Sequence, residues 1–63
     1  MLGRQVMKLK DLIKKFEDNG WRFLREGSNH TIYTNGKSNE AISRQTEIDE
    51  ILAKKIIKRR GLK

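Results

Sequence analysis

The sequence predicts a single α+β domain in the order α-β-β-β-α, a three-stranded antiparallel sheet with two helices on one face. Three observations predict it. Apolar residues recur at helical spacing in one stretch near each end of the chain. Between those stretches the apolar period drops to two. Two short turns, Gly27-Ser28-Asn29 and Asn35-Gly36, then divide that middle region into hairpins.

Met1 to Val6 carries little pattern, and residues 1–7 read as a frayed extension ahead of a domain at 8–63, with Met7 an alternative start. Helix 1 is expected over about Lys8 to Asn19. Leu9, Leu12, Ile13 and Phe16 fall at i, i+3, i+4 and i+7, and Asn19-Gly20 supplies the stop. Strand 1 follows, about Trp21 to Glu26, with Trp21, Phe23 and Arg25 on one face and Arg22, Leu24 and Glu26 on the other. In so small a domain Trp21 and Phe23 are expected in the core rather than on a base-stacking platform. His30 to Thr34, β-branched and aromatic, is strand 2. Asn35-Gly36 predicts a type I′ turn, and a polar edge strand follows over about Lys37 to Ser43.

The last element is helical. Thr46-Glu47-Ile48-Asp49 has capping-box form, and Asp49 could equally be the N-cap. Ile48, Ile51, Leu52 and Ile56 are the expected inner stripe, with Ile57 a surface residue or part of a partner surface. Acidic residues at the start and Lys58, Arg59 and Arg60 at the end suit the helix dipole. Gly61 ends the helix, and Leu62 can fold back onto it. The resulting layout is double-stranded-RNA-binding-like, and the order of elements alone suits many small α+β domains.

A chain of 63 residues buries only about 60% of the surface its unfolded form exposes. It has no cysteine and one histidine, which excludes disulfide stapling and makes a structural zinc site implausible. Fifteen Lys and Arg against eight Asp and Glu give a formal charge of +7. That excess points to a polyanion, most often nucleic acid. No acidic residue follows Glu50, while Lys54, Lys55, Lys58, Arg59, Arg60 and Lys63 crowd the end. No apolar run approaches the ~18 residues of a membrane span, and the chain reads as soluble and intracellular, with a cytoplasmic location expected.

Reactive chemistry concentrates in Glu26-Gly27-Ser28-Asn29-His30-Thr31-Ile32-Tyr33. His30 is the natural acid/base candidate, because among ordinary side chains only imidazole changes charge between about pH 5 and 8. Gly27 allows close approach or a positive φ, and turn amides with the Ser28 hydroxyl could hold a phosphate oxygen. Strand parity leaves one alternative open. His30 shares a face with Ile32 and Thr34, so it is free to react only if Tyr33 is the core residue or if His30 belongs to the turn.

Leu12 through Gly20-Trp21, then Gly27-Ser28-Asn29-His30, then Leu52, Ile56 and Lys58 before Gly61-Leu62-Lys63 resemble the HicA toxins of bacterial and phage toxin–antitoxin pairs. The similarity runs from Met7 to nearly the end of the chain. It implies a double-stranded-RNA-binding-like fold and a ribosome-independent mRNA endoribonuclease that needs no metal or small-molecule cofactor. His30 would be the catalytic residue, and a HicB-type antitoxin would cover the active site. Ala41-Ile42-Ser43 departs from the Pro-x-His that many members carry after the third strand.

On that reading His30 acts as general base on a ribose 2′-OH or general acid on the leaving 5′-oxygen, help worth roughly 10²–10⁴-fold. Gly27, Ser28 and Asn29 would contact the substrate. Arg22, Arg25 and Lys37 are the candidate cations for charge on the phosphorane oxygens. The rival is a non-catalytic RNA-binding module whose basic C-terminal helix grips phosphates. A DNA-binding regulator is weaker, because strands separate the two helices and leave no helix-turn-helix.

Overall fold

The computed structural model describes residues 5–63, so residues 1–4 of the expected frayed extension lie outside the described residues. The elements are β1 (Val6–Lys8), α1 (Leu9–Asp18), β2 (Arg22–Glu26), β3 (His30–Thr34), β4 (Asn39–Ser43), β5 (Glu47–Asp49) and α2 (Glu50–Arg60). β2, β3 and β4 form the expected three-stranded antiparallel sheet in sequence order. The two helices and this sheet make the fold α+β.

A second, two-stranded sheet was not foreseen. β1 pairs antiparallel with β5, setting Val6 against Asp49 and Met7 against Ile48. Val6 and Met7 are therefore paired rather than frayed. Each of the two strands runs directly into a helix, and each helix start is capped from the other strand's side. The Leu9 amide donates to the Thr46 carbonyl at 2.9 Å, and the Glu50 amide to the Gln5 carbonyl at 3.1 Å. Helix-start amides lack intrahelical partners, so this exchange satisfies one donor at each end. The capping box does not form. Residues Glu47 to Asp49 are strand, and Asp49 is the N-cap, accepting from the Ile51 amide at 2.8 Å.

The core gathers Leu12, Phe16, Trp21, Tyr33, Ile42, Ile48, Ala53, Ile56 and Leu62. Phe16 is fully buried at its centre, edge-on to Trp21 at 5.0 Å and tilted against Tyr33 at 6.5 Å. Leu62 closes the far end. Its amide donates to the Ile57 carbonyl beyond a left-handed Gly61.

Three expectations about the core are corrected. Phe23 is 52% exposed, because Trp21 fills the space beside Phe16 and leaves the Phe23 ring at the margin, edge-on to Tyr33. Ile51 and Leu52 are 67% and 51% exposed. Because α2 starts at Glu50 and Ile48 is buried from a strand, the stripe facing the core is Ala53, Ile56 and Ile57. Ile57, read as a surface residue, packs partly buried against the core. The expected type I′ turn over Asn35-Gly36 is absent, since among the described residues only glycines have positive φ and that turn needs it at both positions.

Candidate functional site

The pairing register decides which side chains share a face. Tyr33 lies opposite Glu40 and Phe23, and Thr31 opposite Ile42. That face meets both helices, through the Phe16–Tyr33 ring contact and through Glu40, whose carboxylate receives Arg59 and Arg60 of α2 at 2.7 Å each. Tyr33 is thus the core residue of β3, which settles the parity alternative. By strand alternation His30, Ile32, Ala41 and Ser43 stand on the opposite face. His30 is exposed, and its imidazole has no hydrogen bond among the described residues.

A register shift between Phe23 and Arg25 marks a bulge at Leu24. The bulge returns Arg25 to the face of Ile32, its cross-strand partner, so Arg22 and Arg25 both share the face of His30. Arg25 is diagonal to His30, which in an antiparallel pair leaves Cβ atoms roughly 7 Å apart, within reach of a long side chain. Arg22 is opposite Thr34, four residues along β3 from His30 and on the order of 13 Å away at the usual strand rise. Lys37 lies beyond the same far end. None of the three has an ion pair among the described residues. The sheet thus brings Arg25 to His30 and leaves Arg22 and Lys37 at the other end of the face.

The turn that carries His30 is built in an unexpected way. Ser28 and Asn29 occupy the two turn positions without positive φ, so the primed geometry that normally closes a two-residue hairpin is missing. One hairpin bond remains, from the Gly27 amide to the His30 carbonyl at 2.6 Å. That amide is therefore engaged within the turn, and the expected phosphate cradle loses it as a donor. Gly27 is not at positive φ either. It is needed because a Cβ there would meet the His30 carbonyl oxygen at 3.1 Å. The close approach is of the turn to itself rather than to a ligand.

Arg44 holds the rest. Its Nη1 donates to Glu26 Oε1 at 2.6 Å and to the Gly27 and His30 carbonyls at 3.0 Å each, and its Nη2 donates to the Ser28 carbonyl. One planar fork thus reaches three turn carbonyls, of which those of Gly27 and Ser28 accept no backbone amide among the described residues, a geometry lysine cannot reproduce. Arg44 is 41% and Glu26 59% exposed, so the ion pair contributes little to stability by itself. Its effect is to fix the turn while the Ser28 hydroxyl, the Asn29 side chain and the imidazole stay free among the described residues. Sequence reasoning missed Arg44. The signal available was the register, because Ser43, the residue before it, is the cross-strand partner of His30.

No family model matches this chain, and no curated protein or solved structure matches it. Its site rests on its own geometry.

Two further features shape that geometry. Tyr33, beneath the His30 face, has its phenol pushed above the usual 10.0, first by burial and then by Glu17 and Glu26. Glu40 draws Arg59 and Arg60 inward, and Arg60 also lies over the Trp21 ring at 5.3 Å. Two cations expected to project from the C-terminal helix are thereby tied to the sheet. Among the described residues no cluster of three or more His, Asp or Glu could hold a metal ion, and no helix is long and apolar enough to cross a membrane.

Proposed function

We propose that this chain is a HicA-like toxin, an endoribonuclease that cleaves mRNA without a metal and uses His30 for proton transfer. The observation that carries the reading is the placement of the chain's only imidazole. It stands exposed on the sheet face opposite Tyr33, diagonal to Arg25, on a turn held by Arg44. The α1-β2-β3-β4-α2 order supports a double-stranded-RNA-binding-like layout, with β1 and β5 added to it.

In the proposed reaction the ribose 2′-oxygen attacks the adjacent phosphorus and the bond to the 5′-oxygen breaks. The 2′-OH proton leaves as the bond forms, and the departing 5′-oxygen takes one up. The products are a 2′,3′-cyclic phosphate and a 5′-hydroxyl. His30 carries one of these protons, and solvent carries the other. Arg25 opposes the charge that grows on the phosphorane oxygens, while Arg22 and Lys37 meet phosphates farther along the strand. Ser28 and Asn29 contact the nucleotide beside His30. Ser43 stands at the position of the second histidine in the HicA pattern, directly opposite His30, so this chain works with a single imidazole and is a modest catalyst. Its neutralising partner is a HicB-type antitoxin that covers the His30 face, and its setting is the cytoplasm.

The test is cleavage of a long single-stranded RNA in EDTA by the chain and by His30→Ala. Cleavage by the wild type alone, with cyclic-phosphate ends and a rate that changes across pH 5–8, is the expected result. If both proteins shift the RNA and neither cuts it, the chain is a binding module, and its salt dependence then counts the phosphates it contacts.

A further inference from the structure

The two edges of the three-stranded sheet are built differently. β2 is bulged at Leu24 and carries Arg22 and Arg25, two devices that blunt an edge against pairing with another chain. β4 has neither. Its register with β3 is unbroken from Asn39 to Ser43, and it carries no Lys, Arg or Pro. Ladder alternation fixes which backbone groups face outward. Gly27 bonds to His30 across β2 and β3, so His30 turns its backbone toward β2 and Thr31 turns toward β4. Ile42 and Glu40 then bond inward, and Ala41 and Ser43 present their amides and carbonyls to the free edge. The outward Asn39 carbonyl accepts from Arg60 at 3.1 Å. Those of Ala41 and Ser43 have no partner among the described residues.

Beside this edge runs a cleft of about 220 Å³ between β4 and α2. Its lining includes Ala41, Ser43, Ile48, Leu52, Ile56 and Arg59, and it reaches round to His30. α2 contributes Leu52, Ile56 and Arg59 to its wall, and Arg59 is paired there with Glu40, which also lines the cleft. Leu52 is half exposed there although its own core has no use for it.

We propose that the β4 edge is a docking site for an extended segment of a partner protein. The segment adds as a fourth strand, with its alternate apolar side chains turned into the cleft toward Leu52 and Ile56 and its acidic ones on the other face. An extended chain is the occupant that satisfies a free ladder, and alternate side chains then enter the cleft. Acidic character follows from the +7 charge of the whole chain. A strand placed there ends beside His30. The consequence that it blocks RNA rests on the nuclease reading, whereas the docking does not.

The probe is a synthetic seven-residue peptide alternating Glu with Val and Ile, added to the full chain and followed by amide hydrogen exchange and NMR shifts. At millimolar peptide, exchange at Ala41 and Ser43 is expected to slow at least tenfold. Leu52→Glu is expected to weaken binding at least tenfold with the melting temperature unchanged. A peptide with Lys in place of Glu is expected to bind at least tenfold more weakly. No protection at either amide, or shifts confined to the Arg22 and Arg25 face, overturns the proposal. So does concentration-dependent dimerisation that protects the same amides without peptide, since a second copy would then be the occupant. The readout is independent of cleavage, so a chain that never cuts RNA still tests the docking.

Discussion

The two hairpin turns of the sheet solve the same problem with different means. The β3–β4 turn is self-contained. Asn35 Oδ1 accepts from the Lys37 and Ser38 amides, Thr34 Oγ1 accepts from the Gly36 amide and donates to the Ser38 carbonyl, and Gly36 supplies the positive φ of +93°. All its partners lie within four residues. The β2–β3 turn has one such bond, and its Gly27, Ser28 and His30 carbonyls all accept from Arg44, 14 to 17 residues away in sequence. A locally closed turn forms with its hairpin. One closed by a distant guanidinium is ordered only once β4 is in register. The difference teaches where the chain keeps its only imidazole: His30 stands on the turn that the fold as a whole must hold.

The variants that sharpen this contrast differ in what they read. His30→Ala has the largest expected effect, a loss of roughly 10²–10⁴-fold in RNA cleavage. The melting temperature stays the same, because the imidazole has no hydrogen bond within the described fold. A fall in melting temperature to match the lost cleavage would make His30 a structural residue. Asn35→Ala removes the acceptor of two turn amides and is expected to lower stability by about 1–2 kcal/mol in urea unfolding, with cleavage unaffected. Gly27→Ala forces a Cβ against the His30 carbonyl oxygen. It is expected to cost about 1 kcal/mol, a smaller stability loss than Asn35→Ala, yet it alone of the two should reduce cleavage.

The smallest effect is confined to alkaline solution. Burial raises the Tyr33 phenol above 10.0 in the folded chain, so the folded state keeps this proton longer than the unfolded one. Its stabilising contribution is full below pH 10 and is lost as the pH rises through the folded value. Tyr33→Phe should therefore flatten the fall in stability above pH 10 and leave the neutral range without pH-dependent change. An identical alkaline slope in both proteins would assign that fall to other groups.

What was legible in the sequence follows the same divide between local and distant causes. The period of three to four around Leu12 and Phe16 and the period of two from Trp21 to Thr34 are local, and they gave both helices and the three-stranded sheet. Gly61 and Leu62 behaved as a helix stop with its fold-back. The β1–β5 pair was not legible, because three-residue strands carry almost no period and Val6 meets Asp49 only through the tertiary fold. Ile51 and Leu52 misled for a related reason: an apolar stripe at helical spacing shows amphipathicity but not which of two apolar faces meets the core. In the site, His30 stood out as the lone imidazole, while the ranking of Arg25 over Arg22 and Lys37 needed the Leu24 bulge. Arg44 needed the register of a strand whose turn was itself misread.

The claim that the Arg44-held turn presents His30 for chemistry is tested most directly by comparing Arg44→Ala with Asn35→Ala. Single-turnover cleavage of a long single-stranded RNA in EDTA would be measured at a temperature where both variants are fully folded. A misplacement of about 1 Å at a reacting group is worth about 10²-fold. The account predicts a loss of that order for Arg44→Ala and a rate within about twofold of wild type for Asn35→Ala. Equal rates for the two folded variants would contradict it and make Arg44 one more surface cation.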